Sequence, residues 1–158
     1  MTQACIICRG AEADDELLRT EVWGDDLWRL TTSTAGEVAG FSYLEPRRHI
    51  GDVAALDGDE AASFGPTMAW VTTALKAVTG VELVYVYVFG GGIPHLHVHL
   101  APHVPGGPLN DQMVRGEVET RTLPSGASLV VSKDYPLLPE EEHAAAIRRI
   151  GAELKADS

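Results

Sequence analysis

The chain is short of cysteine, of basic residues and of long apolar runs, and each shortage removes a class of protein. Its two cysteines, Cys5 and Cys8, cannot build the disulfide framework of a small secreted domain. Twelve Lys and Arg stand against 23 Asp and Glu, a formal charge of −11. Such a surface repels a phosphate backbone and makes nucleic acid a poor partner. A small phosphorylated substrate stays open, because one locally positive pocket is enough. The main uncharged stretch, residues 83–102, is interrupted by glycines, prolines and three histidines. It is no match for the roughly 20 continuous apolar residues of a membrane helix. The opening Met-Thr-Gln-Ala-Cys lacks the basic and apolar regions of a secretion signal. These features predict a cytoplasmic protein with no membrane partner.

What is present suits a folded domain. Hydrophobic residues make up 45% of 158 positions, enough for one core and too few residues for two. Residues 22–30 and 38–44 mix apolar and polar side chains in rough alternation, which predicts two antiparallel strands. Asp57-Gly-Asp-Glu60 has the pattern of a capping box. After it, Phe64, Met68, Val71, Leu75 and Val78 recur at helical spacing until Gly80. This predicts a helix over 57–79, kinked near Gly65-Pro66. Residues 82–89 are rich in β-branched and aromatic side chains and predict a buried strand. A second strand follows over 95–101, ended by Pro102. Residues 127–132 predict another strand and 139–154 a last helix, on which His143 is expected at the surface. The fold class is α+β: an antiparallel sheet of about five strands with one long helix, over residues 1–105. Residues 106–158 form a C-terminal extension packed on the same domain.

Cys5 and Cys8 are spaced C-x-x-C, and in a reducing compartment such a pair serves metal or redox chemistry. A redox motif wants a strand before it, which four residues cannot supply, so zinc is favoured. The other distinctive stretch is His95-Leu96-His97-Val98-His99-Leu100. In a strand the three imidazoles share one face, and Leu96, Val98 and Leu100 share the other, toward the core. Two uses compete: a metal gripped by alternate histidines, or nucleophilic catalysis by an imidazole largely neutral at pH 7. The preceding Gly90, Gly91 and Gly92 would let backbone N–H groups approach an anionic oxygen.

The three alternate histidines resemble the signature of the histidine-triad family of nucleotide hydrolases and transferases. Cys5-x-x-Cys8, Val22–Asp26 and Gly40–Ile50 follow the family's order and approximate spacing, so the likeness covers roughly residues 4–103. It implies one structural zinc per chain, held by Cys5, Cys8, His49 and His95. It implies that His97 attacks phosphorus to give a covalent phospho-histidine-type intermediate. His99 would contact the phosphate or bridging atom and help the leaving group depart, and the glycine loop and His103 would lie beside the phosphate. A homodimer is expected by the same analogy, joined through a helix and a sheet edge at Tyr85 and Tyr87.

Departures from the family pattern bear on the substrate. Ser33 stands where an acidic residue holds the ribose hydroxyls, Phe41 where a histidine is usual, and Gly91 where a glutamine contacts phosphate. Retained chemistry on a shifted, phosphorylated, nucleotide-like substrate is the expectation. The alternatives are a ligand-binding protein with little turnover and a metalloenzyme with its metal on the triad.

Overall fold

The computed structural model describes residues 5–107, 118–122, 128–133 and 138–156. A five-stranded antiparallel sheet runs in the order β1-β2-β3-β5-β4. Its strands are β1 (Arg19–Gly24), β2 (Trp28–Ser33), β3 (Ser42–Pro46), β4 (Leu83–Tyr87) and β5 (Val98–His103). Helix α1 (Gly58–Thr79) and helix α2 (Glu140–Ala156) pack against each other, and α2 also packs on β1 and β2. A separate two-stranded sheet pairs β6 (Val118–Thr122) with β7 (Ser128–Ser132). The strand expected at 127–132 is therefore seen from Ser128. Residue 127 lies outside the described residues, and β6 was not anticipated.

One sheet face and the two helices enclose the core. Trp28 and Leu30 of β2, Leu44 of β3, and Val98 and Leu100 of β5 meet Val71 and Leu75 of α1 and Ile150 and Leu154 of α2. Leu96, Val98 and Leu100 are all buried, as their alternation with the histidines requires.

Helix α1 begins and ends where local chemistry dictates. The Asp57 side chain accepts the Gly58 N–H, and Gly80 closes the helix at φ 72°, a left-handed conformation suited to glycine. Pro66 lies inside the helix, which continues to Thr79. The capping box does not form: Asp57 accepts the Gly58 N–H, not that of Glu60, and the Glu60 carboxylate pairs with Arg48 at 2.8–2.9 Å.

Other boundaries differ from expectation for identifiable reasons. The single strand expected over 22–30 is a hairpin. Asp25 accepts the N–H groups of Leu27 and Trp28 at 2.8 and 2.7 Å, making the turn between β1 and β2. The strand expected over 38–44 starts only at Ser42, because Gly40 at φ 81° turns the chain first. Strand β4 is the sheet edge and not a buried strand, with Leu83 48% and Val86 42% exposed. Strand β5 passes through Pro102, whose missing N–H is tolerated because pairing with β3 stops at Leu100. His143 is fully buried in α2 and not at the surface. Its Nε2–H donates to the Gly36 carbonyl at 2.9 Å, tying α2 to the loop after β2.

Candidate active site and metal centre

The three triad histidines divide between two sites. His95 precedes β5 and is 1% exposed. Its Nε2 lies 2.8 Å from the Pro46 carbonyl, which can only accept, so Nε2 carries the proton. The Nδ1 lone pair is thereby turned toward the sulfurs of Cys5 at 3.5 Å and Cys8 at 3.4 Å. His49, on the turn after β3, brings its Nδ1 within 3.3 Å of the Cys8 sulfur. The four ligand atoms lie within 4.8 Å of one another.

These residues fit a tetrahedral zinc. Zn–S and Zn–N lengths place neighbouring ligand atoms about 3.6 Å apart at the tetrahedral angle, close to the 3.3–3.5 Å found here. Burial pushes the His95 pKa down, which favours the neutral ligand form. Burial and the adjacent Cys5 push the Cys8 thiol up, and a dication would reverse that by stabilising the thiolate. The His95–Pro46 hydrogen bond is the outer-sphere contact that orients a ligating imidazole. Zinc here would tie the 3-10 segment Ile7–Ala13 to the turn after β3 and to the start of the histidine strand. Among the described residues no other group of His, Cys, Asp and Glu side chains is placed to hold a metal. His95, His97 and His99 do not form a joint metal site.

His97 and His99 face a cavity of about 190 Å³, shared with Ile7, Leu17, Arg19, Tyr43 and Ile93. The Nδ1 of His97 is 2.6 Å from the His95 carbonyl and must donate to it. Its Nε2 therefore holds the lone pair. His99 is enclosed by aromatic rings: Tyr87 stacks on it at 4.7 Å and 6°, and Phe41, Tyr43 and Phe89 stand 5.2–6.0 Å away. This burial, then the neighbouring His97, holds the His99 pKa down to about 4. His99 Nδ1–H points to the Tyr87 carbonyl at 3.3 Å, so at pH 7 its Nε2 is a bare acceptor.

The remaining predicted residues are distributed unevenly. Phe41 reaches the site as part of the aromatic wall around His99. Ser33 is buried at the end of β2, opposite Arg19 of β1, and is not among the residues lining the cavity. Gly90, Gly91 and Gly92 form an exposed loop before Ile93 and do not line the cavity either. Only Gly90, at φ 71°, needs glycine's backbone freedom there. His103 lies six residues along the chain from His97, roughly 20 Å at strand spacing. It packs on Tyr85 and borders a different hollow beside Thr79 and Val81. The structure does not bring it to the cavity lined by His97 and His99.

A buried ionic cluster beside the cavity had no counterpart in the sequence reading. Arg19 donates through Nη1 and Nη2 to both Glu45 oxygens at 2.8 and 2.9 Å, and through Nε to Asp14 at 3.3 Å. Arg29 binds Glu21, Glu45 and Asp14. Arg29, Thr31 and Ser33 alternate along β2 with the core residues Trp28 and Leu30. That polar face was the available signal, although it names no partners.

The sheet, the helices and the divided triad define a histidine-triad fold. Solved structures bear this out over nearly the whole chain. A hypothetical histidine triad nucleotide-binding protein from Sulfolobus tokodaii strain7 is 16% identical, with a TM-score of 0.64 and 96% of this chain and 93% of that one covered. A Zn-bound histidine triad family protein from Mycobacterium smegmatis is 14% identical, with a TM-score of 0.61 and 98% of each chain covered. A HIT family hydrolase from Clostridium thermocellum is 18% identical, with a TM-score of 0.51 and 68% of this chain and 97% of that one covered. At such identities the likeness establishes the fold. No protein-family model and no curated protein matches the sequence. No helix among the described residues is long and apolar enough to cross a membrane.

Proposed function

We propose that the chain is a zinc-tethered hydrolase or transferase that cleaves a P–O or P–N bond of a nucleotide-like substrate through a covalent intermediate on His97. The observation that carries this reading is the His97–His95 hydrogen bond. It fixes the proton on Nδ1 and leaves the Nε2 lone pair in a cavity where a phosphorus centre can be seated. The Nε2–P bond forms as the bond to the leaving group breaks. The leaving group departs with that electron pair and takes a proton from solvent. Water then attacks phosphorus, the N–P bond breaks, and His97 is regenerated.

His99 is better suited to accept than to donate a proton, because its environment keeps it neutral at pH 7. It would receive a hydrogen bond from the leaving group or take the proton of the attacking water. Cys5, Cys8, His49 and His95 would hold one zinc, which supplies structural cross-linking. The names of the nucleotide-binding, Zn-bound and hydrolase relatives agree with this reading without extending it to this chain. The exposed β4 edge supports assembly as a homodimer.

The test is trapping. Acid-quenched or base-quenched protein, mixed with a panel of phosphoramidates, phosphoesters and phosphoanhydrides, should carry a phosphoryl or nucleotidyl mass on the peptide containing His97. A panel that binds yet yields no adduct and no product would favour a ligand-binding protein.

A further inference from the structure

We propose that Arg19 reads a negatively charged oxygen group on the ligand held against His97, and so selects compact oxyanions for this cavity. The assignment rests on the reading of the cavity as a phosphate site, and it names the residue that sets its selectivity. Of the side chains that line the cavity, Arg19 alone is permanently cationic. Gly91 offers no side-chain donor, and His99 is held neutral, so neither supplies positive charge.

The guanidinium is built in place. Its side chain is 4% exposed and its three ionic contacts fix both its plane and its direction. Those contacts use three of five N–H donors, leaving two for a ligand oxygen. The carboxylates that orient it are shared with Arg29, which also binds Glu45 and Asp14. Arg19 borders the cavity, so a ligand oxygen seated there is in reach of a guanidinium already held in place.

Ser33 stands opposite Arg19 in the β1–β2 pair, where a carboxylate would compete for the remaining donors. A neutral hydroxyl leaves them free. The cavity volume, about 190 Å³, is below the roughly 300–1,000 Å³ of typical ligand pockets, and favours a compact anion.

The experiment is calorimetric titration of the full-length, zinc-loaded protein with inorganic phosphate and with inorganic pyrophosphate, which requires no turnover. Arg19→Lys keeps the charge and loses the fork. The pair Arg19→Gln with Glu45→Gln removes both charges and preserves the net charge. Arg29→Lys is the control, since Arg29 belongs to the same ionic cluster and does not line the cavity. Both Arg19 replacements should weaken anion binding by about tenfold or more, and Arg29→Lys by less than about twofold, in proteins with matching circular dichroism. Equal loss in the Arg19 and Arg29 variants would mean that Arg19 acts only through the cluster and would overturn the assignment. Unchanged affinity in the Arg19 variants would overturn it alone. A wild-type protein that binds neither anion would overturn the phosphate-site reading as well.

Discussion

His97 donates a hydrogen bond from Nδ1–H to the carbonyl oxygen of His95, 2.6 Å away, while the His95 ring turns its own lone pair to two cysteine sulfurs. The residue proposed to hold the metal thus orients, through its backbone carbonyl, the residue proposed to attack phosphorus. His97→Ala should abolish turnover and leave the fold intact, because the side chain is half-buried in a cavity and not in the core. His97→Gln should be equally inactive, since an amide nitrogen is no nucleophile. Single-turnover kinetics beside a thermal melt check both, and a variant with an unchanged rate would remove the covalent mechanism.

Metal content should follow the cysteines. The double variant Cys5→Ala, Cys8→Ala should fall from one zinc per chain to none and melt earlier, because binding free energy is also folding free energy. His97→Ala should keep its zinc. Metal analysis by mass spectrometry with a thermal melt reads both quantities. Full zinc in the double variant would defeat the assignment of these ligands.

His99 makes stability depend on pH in a definite direction. Its folded pKa is held near 4 by burial first and His97 second, below the value near 6.5 of a free imidazole. Between those values the unfolded chain binds the extra proton, so stability from this group is complete above about pH 6.5. It is lost as pH falls toward 4. Partial solvent exposure reduces the effect to order 1 kcal/mol. Urea unfolding at pH 7 and pH 5 should show that loss in the wild type, and a smaller one in His99→Gln. An identical pH dependence in the two proteins would show that His99 is not held neutral.

The parts of the fold that were legible beforehand are those governed by neighbours in sequence. Asp57 and Gly80 bound α1 because caps are local chemistry, and the alternation of Leu96, Val98 and Leu100 with histidines fixed the register of the site strand. Asp25 was missed because its two side-chain hydrogen bonds turn a run that otherwise reads as one strand. Arg19, Asp14, Arg29 and Glu45 were missed for a different reason. They come from separate segments, and a buried arginine is spelled like an exposed one. His143 shows the same limit, since only tertiary packing of α2 on the Gly36 loop buries it.

The edge strand β4 exposes Leu83 and Val86, and Phe89, 73% exposed, follows it. Exposed apolar edges of this kind invite pairing with another strand. The wild type should run as a dimer in light scattering after size exclusion. Val86→Lys should shift it toward the monomer without unfolding it, because charge on an edge strand opposes pairing. A monomeric wild type would exclude this interface.

Ile7 and Leu17 form the side of the His97 cavity contributed by the N-terminal segment, and Ile93, in the loop before the histidine strand, also lines it. With about 190 Å³ available, a nucleoside attached to phosphorus must extend out of the cavity. Ser33, at the position where the resemblance expects a ribose contact, has no carboxylate to hold ribose hydroxyls by charge-assisted bonds. Adenosine and guanosine phosphoramidates or dinucleoside polyphosphates should therefore be turned over poorly beside compact phosphoesters or phosphoramidates, by about tenfold or more in kcat/KM. Modifying the 2′ and 3′ hydroxyls should change little. Leu17→Ala enlarges the cavity without touching either histidine, so it should narrow the gap between nucleoside and compact substrates. Its stability cost is the usual one for a truncated apolar side chain, about 2–5 kcal/mol at most. Equal native rates on both substrate groups, with a clear penalty for modified ribose, would show that Ser33 and the small cavity leave a family-like preference for nucleotides untouched. The chemistry assigned to His97 would survive that result, because it depends on the His95 carbonyl and not on what lies beyond the phosphate.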